Sequence, residues 1–121
     1  MSPTFPGLFA EDPPTNYVPL LAAVAEDVRP ATLGHELAIM AETDLSDLLP
    51  DIAVPTLLIW GQHDARSPLI VARQFEEAIP DSTLVVIEGA GHMSNLECSE
   101  RVNDAVREFC RAHPPGAGSA K

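Results

Sequence analysis

The sequence changes period once, and that change limits the folds open to the chain. Val54-Pro55-Thr56-Leu57-Leu58-Ile59-Trp60 is a continuous apolar run closed by Gly61. A second such run, Thr83-Leu84-Val85-Val86-Ile87, follows. Strands that read as unbroken apolar runs, with no alternation, belong to parallel sheets buried on both faces. Pro55 is compatible with this because it lies at the strand's beginning. Between the runs, Ser67-Pro68 reads as a helix entry, with Ser67 as N-cap and Pro68 at the first helical position. Val71, Ala72, Phe75, Ala78 and Ile79 then form its inward stripe, and Pro80 ends it. After the second run, 97–112 reads as a last helix with Val102, Val106, Phe109 and Cys110 inward. The stretch is therefore strand, helix, strand, helix: an α/β arrangement containing a βαβ unit.

The flanking regions show other patterns. Residues 1–16 are rich in proline, show no period and read as an extended or frayed arm. Tyr17 to Val28 carries one apolar helical stripe that Pro30 ends, and Thr32 caps a second helix bearing Leu33, Leu37, Met40 and Ala41. Asp44 to Leu49 is a short helical turn stopped by Pro50. The expected division is 1–50 as arm and helices, 51–113 as the βαβα core, and 114–121 as a disordered tail.

Composition excludes several partners. Seven Lys and Arg against eighteen Asp and Glu give a net charge of −11, so nucleic acid and an anionic membrane surface are disfavoured. No apolar run approaches the ~18 residues of a membrane helix, and Met1 to Pro6 has no basic secretory region. Cys98 and Cys110 fall on one expected helix, about 18 Å apart by helical rise and beyond disulfide reach. That fits a reducing, cytoplasmic setting.

Ligand chemistry in such sheets gathers at the carboxyl ends of the strands. Those ends read Gly61-Gln62-His63-Asp64 and Gly89-Ala90-Gly91-His92-Met93-Ser94-Asn95. Adjacent strands lie about 4.8 Å apart, so Asp64 and His92 can meet above the sheet. A carboxylate that accepts the Nδ1–H of a histidine fixes its tautomer and stabilises the imidazolium formed when Nε2 takes a proton. The expected separation is about 2.6–3.2 Å. Gly61, Gly89 and Gly91 are expected to allow the sharp turns. A zinc reading through His63, His92 and Glu88 ranks lower, because zinc takes three or four supported ligands. Ser94 is expected to cap its loop, and Trp60 to pack in the core or a pocket wall.

Leu-Leu-Ile-Trp-Gly-Gln-His-Asp, then Ile-Pro-Asp-Ser-Thr-Leu-Val-Val-Ile, then Gly-Ala-Gly-His resembles the C-terminal part of an α/β-hydrolase. The resemblance is strong over 45–112 and weaker over 17–44, where it implies the remnant of a helical cap. Glu97, Val102, Asn103 and Phe109 resemble the family's last helix, with Ser99 in place of its usual proline. His92-Met93-Ser94-Asn95-Leu96-Glu97 is similar to the same segment of 3-oxoadipate enol-lactonase-like hydrolases.

The resemblance implies that Asp64 and His92 are the acid and histidine of a Ser-Asp-His triad acting on a carboxylic ester or lactone, without a cofactor or metal. The family's nucleophile lies in Gly-x-Ser-x-Gly. None of Ser2, Ser46, Ser67, Ser82, Ser94, Ser99 and Ser119 has glycine two before and two after. The chain is thus expected to be a C-terminal fragment or truncated relative. A small-molecule ester or lactone would be its substrate once an N-terminal half completes it. The edge of strand 54–60 would pair with a second chain or with another copy. A non-catalytic binding or assembly module using that open edge is the alternative.

Overall fold

The computed structural model describes residues 7–11 and 16–116. Its elements run α1 (Val18–Glu26), α2 (Pro30–Glu42), a 3-10 turn (Ser46–Asp51), β1 (Thr56–Gly61), α3 (Leu69–Ala78), β2 (Ser82–Ile87), α4 (Ser94–Glu97) and α5 (Ser99–Ala112). The arrangement is the expected α/β one, with β1 and β2 parallel and in register from Thr56 opposite Ser82 to Gly61 opposite Ile87.

The strand begins two residues later than its apolar run. Pro55 has no N–H to donate, and the first inter-strand bond runs from the Thr56 N–H to the Asp81 carbonyl. Side chains alternate across the sheet. Ile59, Val85 and Ile87 pack on one face with Val102 of α5 and with Ala90. Trp60 faces the other side, where its ring stands 5.9 Å from that of Phe75 on α3. The two helices thus cover opposite faces of the sheet, α3 being the crossover between its strands.

Several boundaries differ from the sequence expectation. Pro30 does not end the first helix, which stops at Glu26; it opens the second at N1, where a missing N–H has no cost. Arg29, not Thr32, is the N-cap of α2. Pro50 does not stop the 3-10 turn and lies inside it. Ser67 does not cap α3: its N–H is held by Asp64 and its carbonyl accepts the Trp60 indole N–H, so the helix starts at Leu69 with Pro68 as N-cap. The last helix is interrupted at Cys98, whose φ of −134° and ψ of 52° separate α4 from α5.

The apolar stripes of α1 and α2 bury no residue, and Leu20, Val24, Leu33, Leu37 and Met40 are exposed. The arm, by contrast, is not frayed where it is described. Phe9 is buried, and the Met93 N–H donates to the Leu8 carbonyl. The rest of the expected arm (1–6 and 12–15) and residues 117–121 of the expected tail lie outside the described residues.

Candidate active site

Two turns carry the site. The first leaves β1 at Gly61 and the second leaves β2 at Ile87, and they are joined directly. The Gln62 N–H donates to the Ile87 carbonyl and the His63 N–H to the Ala90 carbonyl. The Gln62 side-chain oxygen accepts the Gly89 N–H at 3.0 Å. The three glycines serve different ends. Gly89 alone has a positive φ, 78°. Gly61 needs no special φ; a Cβ there would run into the Gly91 carbonyl and lie 2.6 Å from the Ala90 carbonyl oxygen. The backbones of the two turns can touch only because that atom is absent.

This contact brings Asp64 and His92 together. Oδ2 of Asp64 lies 2.9 Å from Nδ1 of His92, inside the expected range. Oδ1 does different work: it accepts the backbone N–H of Arg66 and of Ser67, each at 2.9 Å. One oxygen closes the turn and the other faces the imidazole. The Asp64 side chain is only 7% exposed, whereas that of His92 is 38% exposed. Burial pushes the Asp64 carboxyl pKa up, but the Ser67 N–H, the His92 hydrogen bond and charge, and the Arg66 N–H outweigh it. The net effect holds Asp64 below the ordinary carboxylate value, as an acceptor at neutral pH.

A cavity of about 180 Å³ opens beside the pair, lined by Ile59, Trp60, Gly61, Asp64, Ser67, His92 and Ser94. Trp60 is part of its wall, its indole N–H fixed 2.7 Å from the Ser67 carbonyl. Ser94 is buried at the start of α4 and makes no side-chain cap there. Among the described residues no group of three or more His, Cys, Asp or Glu could hold a metal ion, and no helix is long and apolar enough to cross a membrane.

Sequence reasoning passed over two contributors. Gln62 ties one turn to the other. The carboxylate of Glu97 accepts the Gly91 N–H through Oε2 and the Ala10 N–H through Oε1, both at 2.9 Å. Its resemblance to a family position was the one signal at Glu97, and nothing local pointed to residue 10.

Comparison with known proteins bears on this arrangement. A family model described as alpha/beta hydrolase fold matches residues 26–98. The chain is 37% identical over 94 residues to a pimeloyl-[acyl-carrier protein] methyl ester esterase of Aromatoleum aromaticum, an alignment covering 73% of this chain and 38% of that protein. It is 33% identical over 66 residues to a 2-hydroxy-6-oxononadienedioate/2-hydroxy-6-oxononatrienedioate hydrolase of Pseudomonas putida, over 54% of this chain and 23% of the relative. Among solved structures, an esterase from Exiguobacterium antarcticum superposes with a TM-score of 0.80 at 26% identity, over 86% of this chain and 39% of that one. The chain thus spans well under half the length of these relatives. With the parallel strand pair and its flanking helices, these matches establish that the chain belongs to the alpha/beta hydrolase fold family, among its esterase-like members.

Proposed function

We propose that this chain supplies the acid and the histidine of a Ser-Asp-His triad for hydrolysis of a carboxylic ester or lactone. The observation that carries the reading is the 2.9 Å contact between Asp64 Oδ2 and His92 Nδ1 at the carboxyl ends of two adjacent parallel strands. With Nδ1 engaged by a carboxylate, Nε2 is the nitrogen left to move protons. A serine hydroxyl attacks the ester carbonyl carbon and gives its proton to Nε2. The tetrahedral adduct collapses, the carbonyl carbon–oxygen bond to the leaving group breaks, and Nε2 returns the proton to the departing alkoxide. Water, deprotonated by the same nitrogen, then attacks the acyl carbon; the bond from that carbon to the serine oxygen breaks, Nε2 returns the proton to that oxygen, and the carboxylic acid leaves. Asp64 orients the ring and stabilises its charged form throughout.

The serine has to come from residues outside this sequence. The route is the free edge of β1. Thr56 and Gln62 donate to β2, so by alternation Leu57 and Ile59 direct their N–H and C=O groups to the opposite edge. Among the described residues no strand pairs there. That edge borders the cavity beside His92 through Ile59 and Gly61, and it is the place for the nucleophile-bearing part of the sheet.

The test joins the chain to an upstream segment carrying Gly-x-Ser-x-Gly, encoded before Met1 or taken from the matched pimeloyl esterase, and follows p-nitrophenyl acetate hydrolysis. The joined protein is expected to turn over, with Asp64→Asn and His92→Ala each losing roughly a thousandfold or more in kcat. Saturable turnover by the 121-residue chain alone, or full activity in His92→Ala, would refute the assignment.

A further inference from the structure

We infer that Glu97 is a positioning residue for His92, acting by clamping the arm at 8–10 onto the loop that carries the imidazole. The inference rests on the acid–histidine reading above and adds to it what holds the histidine in place. The His92 ring is 38% exposed, so the side chains of this chain do not cage it, and its Nδ1 bonds to Asp64. Besides the bond to Asp64, its aim depends on its backbone, and that backbone is anchored on both sides. The Gly91 N–H, just before it, donates to Glu97 Oε2. The Met93 N–H, just after it, donates to the Leu8 carbonyl at 2.8 Å. Glu97 Oε1 takes the Ala10 N–H, closing the bracket across a sequence separation of 87 residues.

The packing leaves no slack. A Cβ on Gly91 would run into the Ala10 nitrogen and approach the Phe9 carbonyl carbon to 2.7 Å. Phe9 and Gly91 are both buried at this contact. Glu97 itself is half-buried, and its two oxygens each serve one N–H, an arrangement a carboxylate satisfies and an amide does not. In Glu97→Gln one of the two N–H groups must face an NH2 group, whichever way the amide is turned. Charge-assisted bonds of this kind are among the stronger hydrogen bonds in proteins, so their loss frees the segment before His92.

The experiment reads the imidazole directly and needs no nucleophile. The full chain is labelled with 15N in its histidine rings, and the His92 resonances are recorded at pH 9 for wild type, Asp64→Asn and Glu97→Gln. Wild type is expected to hold the Nδ1–H tautomer, because Asp64 accepts that proton. Asp64→Asn is expected to lose that preference. Glu97→Gln is expected to lower the Nδ1–H to Nε2–H ratio by about fivefold or more, the ratio that one hydrogen bond sustains. A wild-type ratio in Glu97→Gln, with the preference lost in Asp64→Asn, overturns the clamp and leaves the pair standing. An unchanged ratio in Asp64→Asn overturns the pair itself. If Glu97→Gln does not fold, amide exchange in the unaltered chain decides. The clamp requires protection at both Gly91 and Ala10, and rapid exchange at either overturns it.

Discussion

The two oxygens of Asp64 can be separated by mutation. Asp64→Asn can keep a carbonyl oxygen where Oδ1 accepts the Arg66 and Ser67 N–H groups, and it puts an NH2 group opposite His92 Nδ1. Asp64→Ala removes all three bonds. The Ser67 N–H is half-buried, and stranding such a donor costs about 1–2 kcal/mol. Arg66 is exposed, so water replaces most of that bond, for about 0.5 kcal/mol. The contact to the partly exposed imidazole contributes less than about 1 kcal/mol. Asp64→Ala is therefore expected to destabilise the fold by about 2–3 kcal/mol and Asp64→Asn by about 1 kcal/mol or less. Urea unfolding at pH 7, at one fixed chain concentration, separates the two. With a slope of about 1–3 kcal/mol per molar, the alanine variant's midpoint falls by on the order of 1 M and the asparagine variant's by much less. Equal losses in the two variants would refute the division of labour between the oxygens, and so would a neutral Asp64→Ala.

Gly61→Ala, whose Cβ meets only backbone atoms that no rotamer change can move, is expected to cost about 2–3 kcal/mol, whereas Gly34→Ala in exposed α2, with nothing within 4 Å, should gain about 0.5–1 kcal/mol; thermal unfolding of both checks the contrast. Asp64 is held below its unfolded value of about 3.9, so the native state binds fewer protons and the contribution of Asp64 is complete above pH ~5 and lost as pH falls through 3.9 toward the depressed value. Urea midpoints between pH 3 and 6 should show a slope in wild type that is reduced in Asp64→Asn; parallel profiles would contradict it. Among the described residues no strand pairs with the outer edge of β1, and α1 and α2 leave Leu20, Val24, Leu33, Leu37 and Met40 exposed, so the chain alone is expected to associate: sedimentation across a dilution series should show a concentration-dependent mass, and a monomer throughout would refute this.

What was legible in the sequence is what short-range pattern encodes. The apolar runs at 54–60 and 83–87 mark strands because both faces of a parallel sheet are buried, and a glycine ends the first and soon follows the second. Once the strands are adjacent, the distance between Asp64 and His92 follows from strand spacing, and the 2.9 Å contact is the result. Boundaries were less legible where two local rules compete. Pro30 satisfies both "end of a helix" and "first residue of a helix", and the extended backbone of Arg29 decides for the second. Ser67 looks like a cap, yet its N–H and carbonyl are already taken by Asp64 and Trp60, partners that sequence spacing alone does not reveal.

The arm marks the limit of such reading. Residues 7–11 have no period because they form neither helix nor strand; their order comes from Glu97, Met93 and Gly91, more than eighty residues away. A segment stabilised by distant partners leaves no local trace, and the prolines that flank it in the sequence, Pro3, Pro6, Pro13 and Pro14, then make the whole stretch read as an extended or frayed arm. The same logic explains why Gly91 was expected to make a turn when its role is contact. Conformational freedom is a property of the residue itself, whereas the need for an absent Cβ belongs to whatever packs against it. That neighbour is Phe9-Ala10, so the glycine before His92 and the arm specify each other. The histidine's aim thus depends on a stretch of chain that its own surroundings in the sequence never mention.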